Sequence, residues 1–144
     1  MARICPTSAE DRKALPQNGS RAKVLIVEDE AIIARDISQV LTKLGHTVLR
    51  VVATGEDSIR EARLSRPDIV LMDISLKGEI DGVRAAAIIQ SRFRIPVVYL
   101  TAFCDPKTVD RAWSTKPLGF LRKPFEERDL EIILSGLNHK NPAA

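Results

Sequence analysis

Hydrophobic and polar positions follow two alternating periods along the chain from residue 23 onward. Short apolar runs, which are typical of buried strands, are each followed by a segment of helical length. In several of these segments the apolar side chains recur at every third or fourth position, which places them on one face of a helix. The pattern predicts five strands, at VLIVE (24–28), VLRVVA (48–53), IVLMD (69–73), PVVYL (96–100) and LGFLR (118–122).

The predicted helices carry their own start and stop signals. Segment 30–44 has an apolar stripe, and Gly45 follows it at the position where a left-handed residue ends many helices. Asp105 precedes Pro106, a pair that is typical of an N-cap followed by the first helical residue. Three further helices are predicted at 55–65, 81–92 and 126–137.

Five successive strand–helix units with near-continuous apolar strands predict a parallel sheet covered by helices on both faces. With right-handed crossovers, we expect an α/β fold with a doubly wound, five-stranded parallel sheet in the flavodoxin-like order 2-1-3-4-5. Pro, Gly, Ser and Asn cluster in residues 1–20 without apolar periodicity. We therefore predict a flexible N-terminal leader at 1–22, one domain at 23–138 and a C-terminal tail at 139–144.

The net charge of +3 and the pI near 9.1 originate mainly in the two tails. Residues 1–23 carry five basic and two acidic side chains, and Lys140 adds a further positive charge. The residues between them therefore sum to about −1. No aromatic side chains interleave with the basic ones of the leader, so we expect no direct contact with nucleic acid.

Cysteine content and hydropathy indicate the cellular compartment in which the protein is expected. Cys5 and Cys104 are too few for a disulfide framework and lack the spacing of metal ligands, which suits a reducing compartment. The N-terminal residues lack the apolar core of a signal peptide, and no apolar run is long enough to cross a bilayer. We expect a cytoplasmic protein without membrane attachment.

Chemically active side chains stand at the carboxyl ends of four predicted strands. Glu28 and Asp29 end the first strand, Asp73 the third, Thr101 the fourth and Lys123 the fifth. Ligands of open α/β sheets bind in the crevice at this edge, near the point where the strand order reverses. We therefore expect these five side chains to converge on one site.

Each of these residues also has an ordinary structural explanation. Asp29 suits an N-cap, Asp73 a turn, Thr101 a strand end and Lys123 a solvated surface. Their coincidence at one edge favours a functional site. Crowded carboxylates repel one another, and Mg²⁺, a hard cation with oxygen ligands, relieves that repulsion. Asp73 is then placed to act as a nucleophile on a phosphoryl group, whose oxygens Lys123 and Thr101 stabilise.

The stretches VEDEA, LMDIS, YLTAF and FLRKPF, at these separations, resemble the receiver domain of two-component response regulators over residues 23–137. The resemblance implies that Asp73 accepts a phosphoryl group from a histidine kinase or a histidine phosphotransfer protein. It also implies that Asp29 binds Mg²⁺ directly, that Glu28 acts through water, and that Ser75 supplies a backbone carbonyl.

The same resemblance assigns a switch. Thr101 matches the family's switch hydroxyl, Phe120 its switch aromatic, and Lys123 its lysine, which is followed by a cis proline. Phosphorylation would change the surface formed by the fourth helix, fifth strand and fifth helix, and this surface would bind an unknown downstream protein or form a homodimer. We expect a signalling switch with slow self-dephosphorylation, rather than an enzyme. Candidate contacts on the surface are Val109, Trp113, Lys116, Arg122 and Arg128.

The sequence departs from the family at two places. Many receivers carry Asp-Asp where this chain has Glu28 and Asp29, and the loop ISLKGEIDG lacks the common Met-Pro and is one residue longer. Three alternatives remain open: a Mg²⁺-dependent phosphohydrolase of the haloacid dehalogenase type, a flavodoxin-like cofactor binder, and a degenerate receiver. Steady turnover of a phosphate ester would favour the first, and a yellow purified protein the second.

Overall fold

The computed structural model describes residues 21–102 and 105–140. Strands and helices alternate through these ranges, each strand being followed by a helix. The strands are β1 (Lys23–Val27), β2 (Thr47–Val52), β3 (Ile69–Asp73), β4 (Val97–Thr101) and β5 (Gly119–Arg122). The helices are α1 (Ala31–Lys43), α2 (Gly55–Ser65), α3 (Gly82–Phe93), α4 (Pro106–Ser114) and α5 (Glu127–Lys140).

The five strands form one parallel sheet in the order β2-β1-β3-β4-β5, which confirms the predicted fold. The strand bounds differ slightly from the apolar runs. β1 ends at Val27, so Glu28 is the first residue beyond the strand. β4 begins at Val97 because Pro96 has no N–H, although the Pro96 carbonyl accepts a bond from the Val70 N–H at 3.0 Å.

Two apolar layers enclose the sheet. Helices α2, α3 and α4 pack on one face, through alanines that allow close approach, and α1 and α5 pack on the other. Every residue of β3 is buried, as are the first four of β4. Each fully buried aliphatic side chain contributes about 1.5–3 kcal/mol. The core therefore holds the carboxyl ends of the central strands in fixed positions.

The helix ends agree with the sequence signals in two cases and disagree in one. The Asp105 side chain accepts the Thr108 N–H at 2.9 Å, with Pro106 as the first helical residue. Gly45 has a positive φ of 97° after α1. In contrast, the N-cap of α1 is Glu30, without a side-chain hydrogen bond. Asp29 therefore does not serve as a helix cap, and its ordinary structural explanation is wrong.

His46 has a structural role at the start of the sheet. Its buried ring accepts the Ala22 N–H through Nδ1 at 3.0 Å, and the Ala22 carbonyl accepts the Thr47 N–H at 2.9 Å. Burial lowers the pKa of the His46 imidazole below its ordinary value. A neutral ring with its proton on Nε2 therefore ties the residue before β1 to the beginning of β2.

Parts of the predicted domain organisation lie outside the described residues. These are residues 1–20 of the leader, residues 141–144 of the tail, and both cysteines. The leader and the tail stay predictions outside the described residues; within them, Ala22 is buried and α5 extends to Lys140. In the part of the chain that the structure describes, no helix combines the length and the hydrophobicity that a membrane crossing requires.

Gly82, the first residue of α3, allows the loop after β3 to fold back against the end of that strand. A Cβ atom built there would lie 2.1 Å from the Asp73 carbonyl oxygen and 3.0 Å from the Ile74 Cα. Both neighbours are backbone atoms beside the buried Asp73, so they cannot move aside as a flexible side chain would. The loop therefore requires glycine at this position.

We expect Gly82→Ala to lower the free energy of unfolding by about 1–3 kcal/mol, because the methyl group collides with backbone. Gly136→Ala is the matched control, since a Cβ atom on Gly136 in α5 meets nothing within 4 Å. That change should raise stability by about 0.5–1 kcal/mol. Urea denaturation measures both, and a Gly82→Ala protein as stable as the wild type would contradict the assignment.

Candidate functional site

The acidic side chains of β1 and β3 meet because these two strands are neighbours in the sheet. Val27 pairs with Met72, so Glu28 and Asp29 emerge beside Asp73. One carboxylate oxygen from each of these three residues lies within 4.8 Å of the others. The convergence expected for the carboxylates is therefore present, at the point where the strand order reverses.

Lys123 reaches the same site from the end of β5. Its Nζ lies 2.8 Å from Glu28 Oε1 and 3.7 Å from Asp73 Oδ2. The peptide bond between Lys123 and Pro124 is cis, as the resemblance implied. Glu28 also accepts the Glu30 N–H at 3.2 Å through its second oxygen. Glu28 therefore contacts the lysine directly, and this contact links the end of β1 to the end of β5.

The site holds more negative charge than one ammonium group neutralises. At 4.8 Å, two carboxylates repel each other by about 3.5 kcal/mol with an effective dielectric constant near 20. Burial raises the pKa of Glu28 to about 7; the bond from Lys123 opposes this shift, and Asp73 adds to it. Burial acts to lower the pKa of Lys123, but the bond to Glu28 and the charge of Asp73 outweigh burial and raise it.

Asp29 gives a second indication, besides the excess negative charge, that a cation belongs at this site. Its Oδ2 atom is buried and has no hydrogen-bond partner among the described residues. A buried carboxylate oxygen without a partner is costly in free energy. Three hard oxygen donors, one of them unsatisfied, fit a divalent cation such as Mg²⁺.

Asp73 is held in a defined orientation at the end of β3. Its Oδ1 accepts the Ser75 N–H at 3.0 Å, and only 5% of the residue is exposed. The turn that the sequence allowed for Asp73 is thus present together with the carboxylate cluster. Oδ2 faces Lys123. The orientation leaves one oxygen of Asp73 turned toward the charged centre of the site.

Thr101 lies at the edge of the same crevice. Leu100 pairs with Asp73 across the sheet, and Thr101 is the next residue, half-buried at the end of β4. The Thr101 carbonyl accepts the Lys123 N–H at 2.7 Å. The ends of β3, β4 and β5 are therefore joined around the crevice and carry Asp73, Thr101 and Lys123, beside Glu28 and Asp29 at the end of β1.

Phe120 lies between two other aromatic rings. Its centroid is 5.3 Å from that of Tyr99 and 4.6 Å from that of Trp113, with tilted geometry in both pairs. The Tyr99 hydroxyl lies 2.8 Å from Thr115 Oγ1 at the end of α4. The aromatic group therefore connects the buried strand β4 with helix α4.

The proposed partner surface is partly accessible in this arrangement. Trp113 is 57% exposed even though its ring contacts Phe120. Val109 is half-buried, whereas the three charged candidates are exposed: Lys116, Arg122 and Arg128. Their role in binding stays a prediction.

Sequence reasoning did not identify two residues of the loop that follows Asp73. Gly82 permits the close approach of this loop to the Asp73 carbonyl. Asp81 caps α3 by accepting the Arg84 N–H at 2.9 Å. Asp81 also forms an ion pair with Arg111 on α4 at 3.1 Å. Burial acts to raise the pKa of the Asp81 carboxyl, but the bonds from Arg84 and Arg111 outweigh burial, so this pKa is lowered. The Asp-Gly pair at the start of a helical pattern was the available signal.

A family comparison agrees with this site. The family model described as "Response regulator receiver domain" matches residues 24–135. Among curated proteins, the transcriptional regulatory protein PdtaR of Mycobacterium tuberculosis is 37% identical over 108 residues, 75% of this chain and 52% of PdtaR. The phyllosphere-induced regulator PhyR of Methylorubrum extorquens is 31% identical over 114 residues, 78% of this chain and 42% of PhyR. The chain thus spans about half the length of these relatives.

Solved structures show the same similarity. The signal receiver domain of a modulated diguanylate cyclase from Desulfovibrio desulfuricans G20 has 36% identity and a TM-score of 0.82, covering 85% of this chain and 98% of that one. The receiver domain of the sensor histidine kinase PA1611 from Pseudomonas aeruginosa PAO1, with a magnesium ion coordinated in its active site cleft, has 30% identity and a TM-score of 0.73. It covers 81% of this chain and 97% of that one. The strand order, the acidic crevice and these matches agree, and the chain belongs to the response regulator receiver domain family.

Proposed function

We propose that this receiver accepts a phosphoryl group on Asp73 from the phosphohistidine of a sensor kinase or a phosphotransfer protein. The observation that carries the proposal is the cluster of Glu28, Asp29 and Asp73 within 4.8 Å, with the Lys123 ammonium 3.7 Å from Asp73. A purely structural role does not require three carboxylates to be held together against their repulsion.

The proposed transfer is a displacement at phosphorus. A carboxylate oxygen of Asp73 forms a bond to phosphorus while the bond from phosphorus to the histidine nitrogen breaks, and the imidazole leaves. The Ser75 N–H fixes the carboxylate through Oδ1, so Oδ2 is the oxygen in position to attack. Lys123 stabilises the charge on the phosphoryl oxygens, and Thr101 donates its hydroxyl to one of them.

Mg²⁺ is the cofactor of this proposal. The residues that would hold it are Glu28, Asp29 and Asp73, with the backbone carbonyl of Ser75. When bound, the ion supplies positive charge that offsets the carboxylates and the incoming phosphoryl oxygens. The partnerless Asp29 Oδ2 and the magnesium ion of the PA1611 receiver domain support this assignment.

Phosphorylation is proposed to act on the α4-β5-α5 surface. A phosphoryl group on Asp73 adds about −1.5 to −2 charges and draws the Thr101 hydroxyl toward it. Phe120 then turns into the vacated space and leaves its contact with Trp113. The altered surface binds a downstream protein or a second copy of the chain, and slow self-dephosphorylation resets it.

The phosphohydrolase alternative fits the site less well. That class places a second acidic residue two positions after its nucleophile on the first strand, which would make the pair Glu28 and Glu30. Glu30 is exposed, and it is not a member of the carboxylate cluster. A signalling switch that is phosphorylated once per cycle is therefore the function we propose.

We expect a small phosphodonor with Mg²⁺ to add one phosphoryl group per chain, because Asp73 is the oriented nucleophile. Intact-mass measurement should show a single adduct in the wild type. EDTA should prevent it, and Asp73→Ala should lack it, whereas Asp36→Ala, which removes an exposed carboxylate, should retain it. An adduct that persists in Asp73→Ala would mean that another residue is the acceptor.

Asp29→Asn should raise the free energy of unfolding without Mg²⁺ by about 1–2 kcal/mol, because it removes one of three repelling charges. The same variant should lose most of the stabilisation that Mg²⁺ gives to the wild type. Urea denaturation with and without Mg²⁺ measures both effects. Asp36→Asn on α1 is the control and should change neither quantity. An undiminished Mg²⁺ response in Asp29→Asn would remove Asp29 from the ligand set.

Phosphorylation should shift the emission of Trp113, the only tryptophan, toward longer wavelengths, because its ring loses the Phe120 contact and gains solvent. Fluorescence spectra before and after addition of phosphodonor and Mg²⁺ test this. Asp73→Asn should show no shift, and Phe120→Leu should already emit near the shifted wavelength without phosphodonor. An unchanged spectrum in a fully phosphorylated wild type would contradict the proposed movement of Phe120.

A further inference from the structure

Basic side chains line the edge of the sheet opposite the acidic crevice. Helices α2, α3 and α4 run back from the crevice, so their last residues stand where β3, β4 and β5 begin. Five exposed basic residues occupy these helix ends, and together they are called the basic rim: Arg63, Arg66, Arg92, Arg94 and Lys116.

Two contacts join the three helix ends into one surface. The Arg66 guanidinium lies over the Phe93 ring at 5.5 Å, which connects the end of α2 to the end of α3. The Gln90 side-chain amide donates to the Thr115 carbonyl at 2.7 Å, which connects α3 to the end of α4. With helices packed about 8–10 Å apart, the rim spans about 20 Å.

Among the described residues, no ion pair neutralises the rim. The ion pairs of the described residues involve other basic side chains, as in Lys43–Glu127 and Arg50–Glu61. Asp68, the acidic residue between α2 and β3, has its carboxylate engaged by the Lys23 N–H at 2.9 Å. The body of the chain is close to neutral in total, but folding separates its charges to opposite edges of the sheet.

The helix dipole explains only part of this arrangement. It favours one cation in the last turn of a helix, which Arg63 and Arg92 satisfy for α2 and α3. Three further cations occupy left-handed positions with φ of 51°, 58° and 57°, where glycine is the favoured residue: Arg66, Arg94 and Lys116. Cations thus occupy three positions that favour glycine, beyond what the helix dipoles call for, and this surplus points to an anionic ligand.

We propose that the basic rim binds the phosphate backbone of a nucleic acid without sequence preference. Four of its five cations are arginines, whose planar guanidinium groups pair with phosphate oxygens in a bidentate manner. A duplex carries one phosphate per about 1.7 Å of its axis when both strands are counted, so a length of about 20 Å carries about twelve phosphates, of which only part faces the rim. This binding is separate from the proposed phosphorylation, and it revises the expectation, drawn from charge along the sequence, of no nucleic-acid contact.

The chemistry of the rim favours nucleic acid over the other anionic surfaces. Membrane attachment by a basic surface also uses several inserted apolar side chains, whereas Leu64 is the single large exposed apolar residue at the ends of α2 and α3 within the described ranges. Protein interfaces place apolar or aromatic anchors at their centre, but Phe93 is half-buried beneath Arg66. Charge therefore provides most of the attraction.

The test compares two triple variants of equal net charge, each made in the whole 144-residue chain. The rim variant carries Arg66→Gly, Arg92→Gln and Arg94→Gly, two of which place glycine at a positive φ and so preserve the fold. The control variant carries Arg35→Gln, Arg84→Gln and Lys107→Gln, which remove exposed cations from helix segments nearer the crevice. Circular dichroism confirms that both are folded.

Fluorescence anisotropy with labelled mixed-sequence DNA and RNA, each single-stranded and duplex, measures binding over a range of salt concentrations. Wild type should bind at low salt, and the rim variant should bind at least about tenfold more weakly, with a salt slope smaller by about 2 on single strands and about 3 on duplexes, since three cations are removed. The control variant should lose less than about threefold, and Asp73→Ala should bind like the wild type, since the rim lies away from the crevice. This independence separates failure of the rim proposal from failure of the phosphoacceptor proposal.

Three results would overturn the proposal. Wild type that binds none of the oligonucleotides at low salt shows that the rim has no affinity for phosphate backbones. Equal weakening in both triple variants shows that overall charge, rather than the rim, governs binding. Binding to phosphatidylserine vesicles at a salt concentration that abolishes oligonucleotide binding assigns the rim to a membrane surface.

Discussion

Repulsion among three carboxylates is the unfavourable interaction that the rest of this structure has to offset. Glu28, Asp29 and Asp73 are held together by the pairing of β1 with β3, and within the described ranges the Lys123 ammonium is the one cation paired with them. The strands can hold this charge because apolar helices cover both faces of the sheet. Stability generated in the core thus maintains a crevice that is unfavourable by itself and favourable with a cation.

Much of the fold and the composition of the site were predictable from the sequence, because the relevant signals are local. Buried parallel strands have near-continuous apolar runs, and the carboxyl ends of such strands share one edge. The Asp105–Pro106 pair and Gly45 marked helix ends for the same reason. Polar residues at strand ends are therefore enough to locate the crevice from the sequence.

Features that depend on long-range contacts were not predictable in this way. The direct bond from Lys123 to Glu28 joins residues 95 positions apart and depends on the conformations of two long side chains. The need for glycine at position 82 arises from the approach of the Asp73 carbonyl, which no local pattern records. Charge summed along the sequence likewise hid the basic rim, since only the crossover topology brings the ends of α2, α3 and α4 together.

The length of the strands has a consequence for how the two edges of the sheet communicate. Five residues of β3 extend about 17 Å, which is about two Debye lengths in a physiological electrolyte. Between charges that face solvent, the effect of a charge added at one edge is therefore largely screened at the other. If the two surfaces influence each other, the coupling has to be a structural displacement. Helix α4 is suited to transmit it, because Trp113 near its end contacts Phe120 and Lys116 lies in the turn that follows.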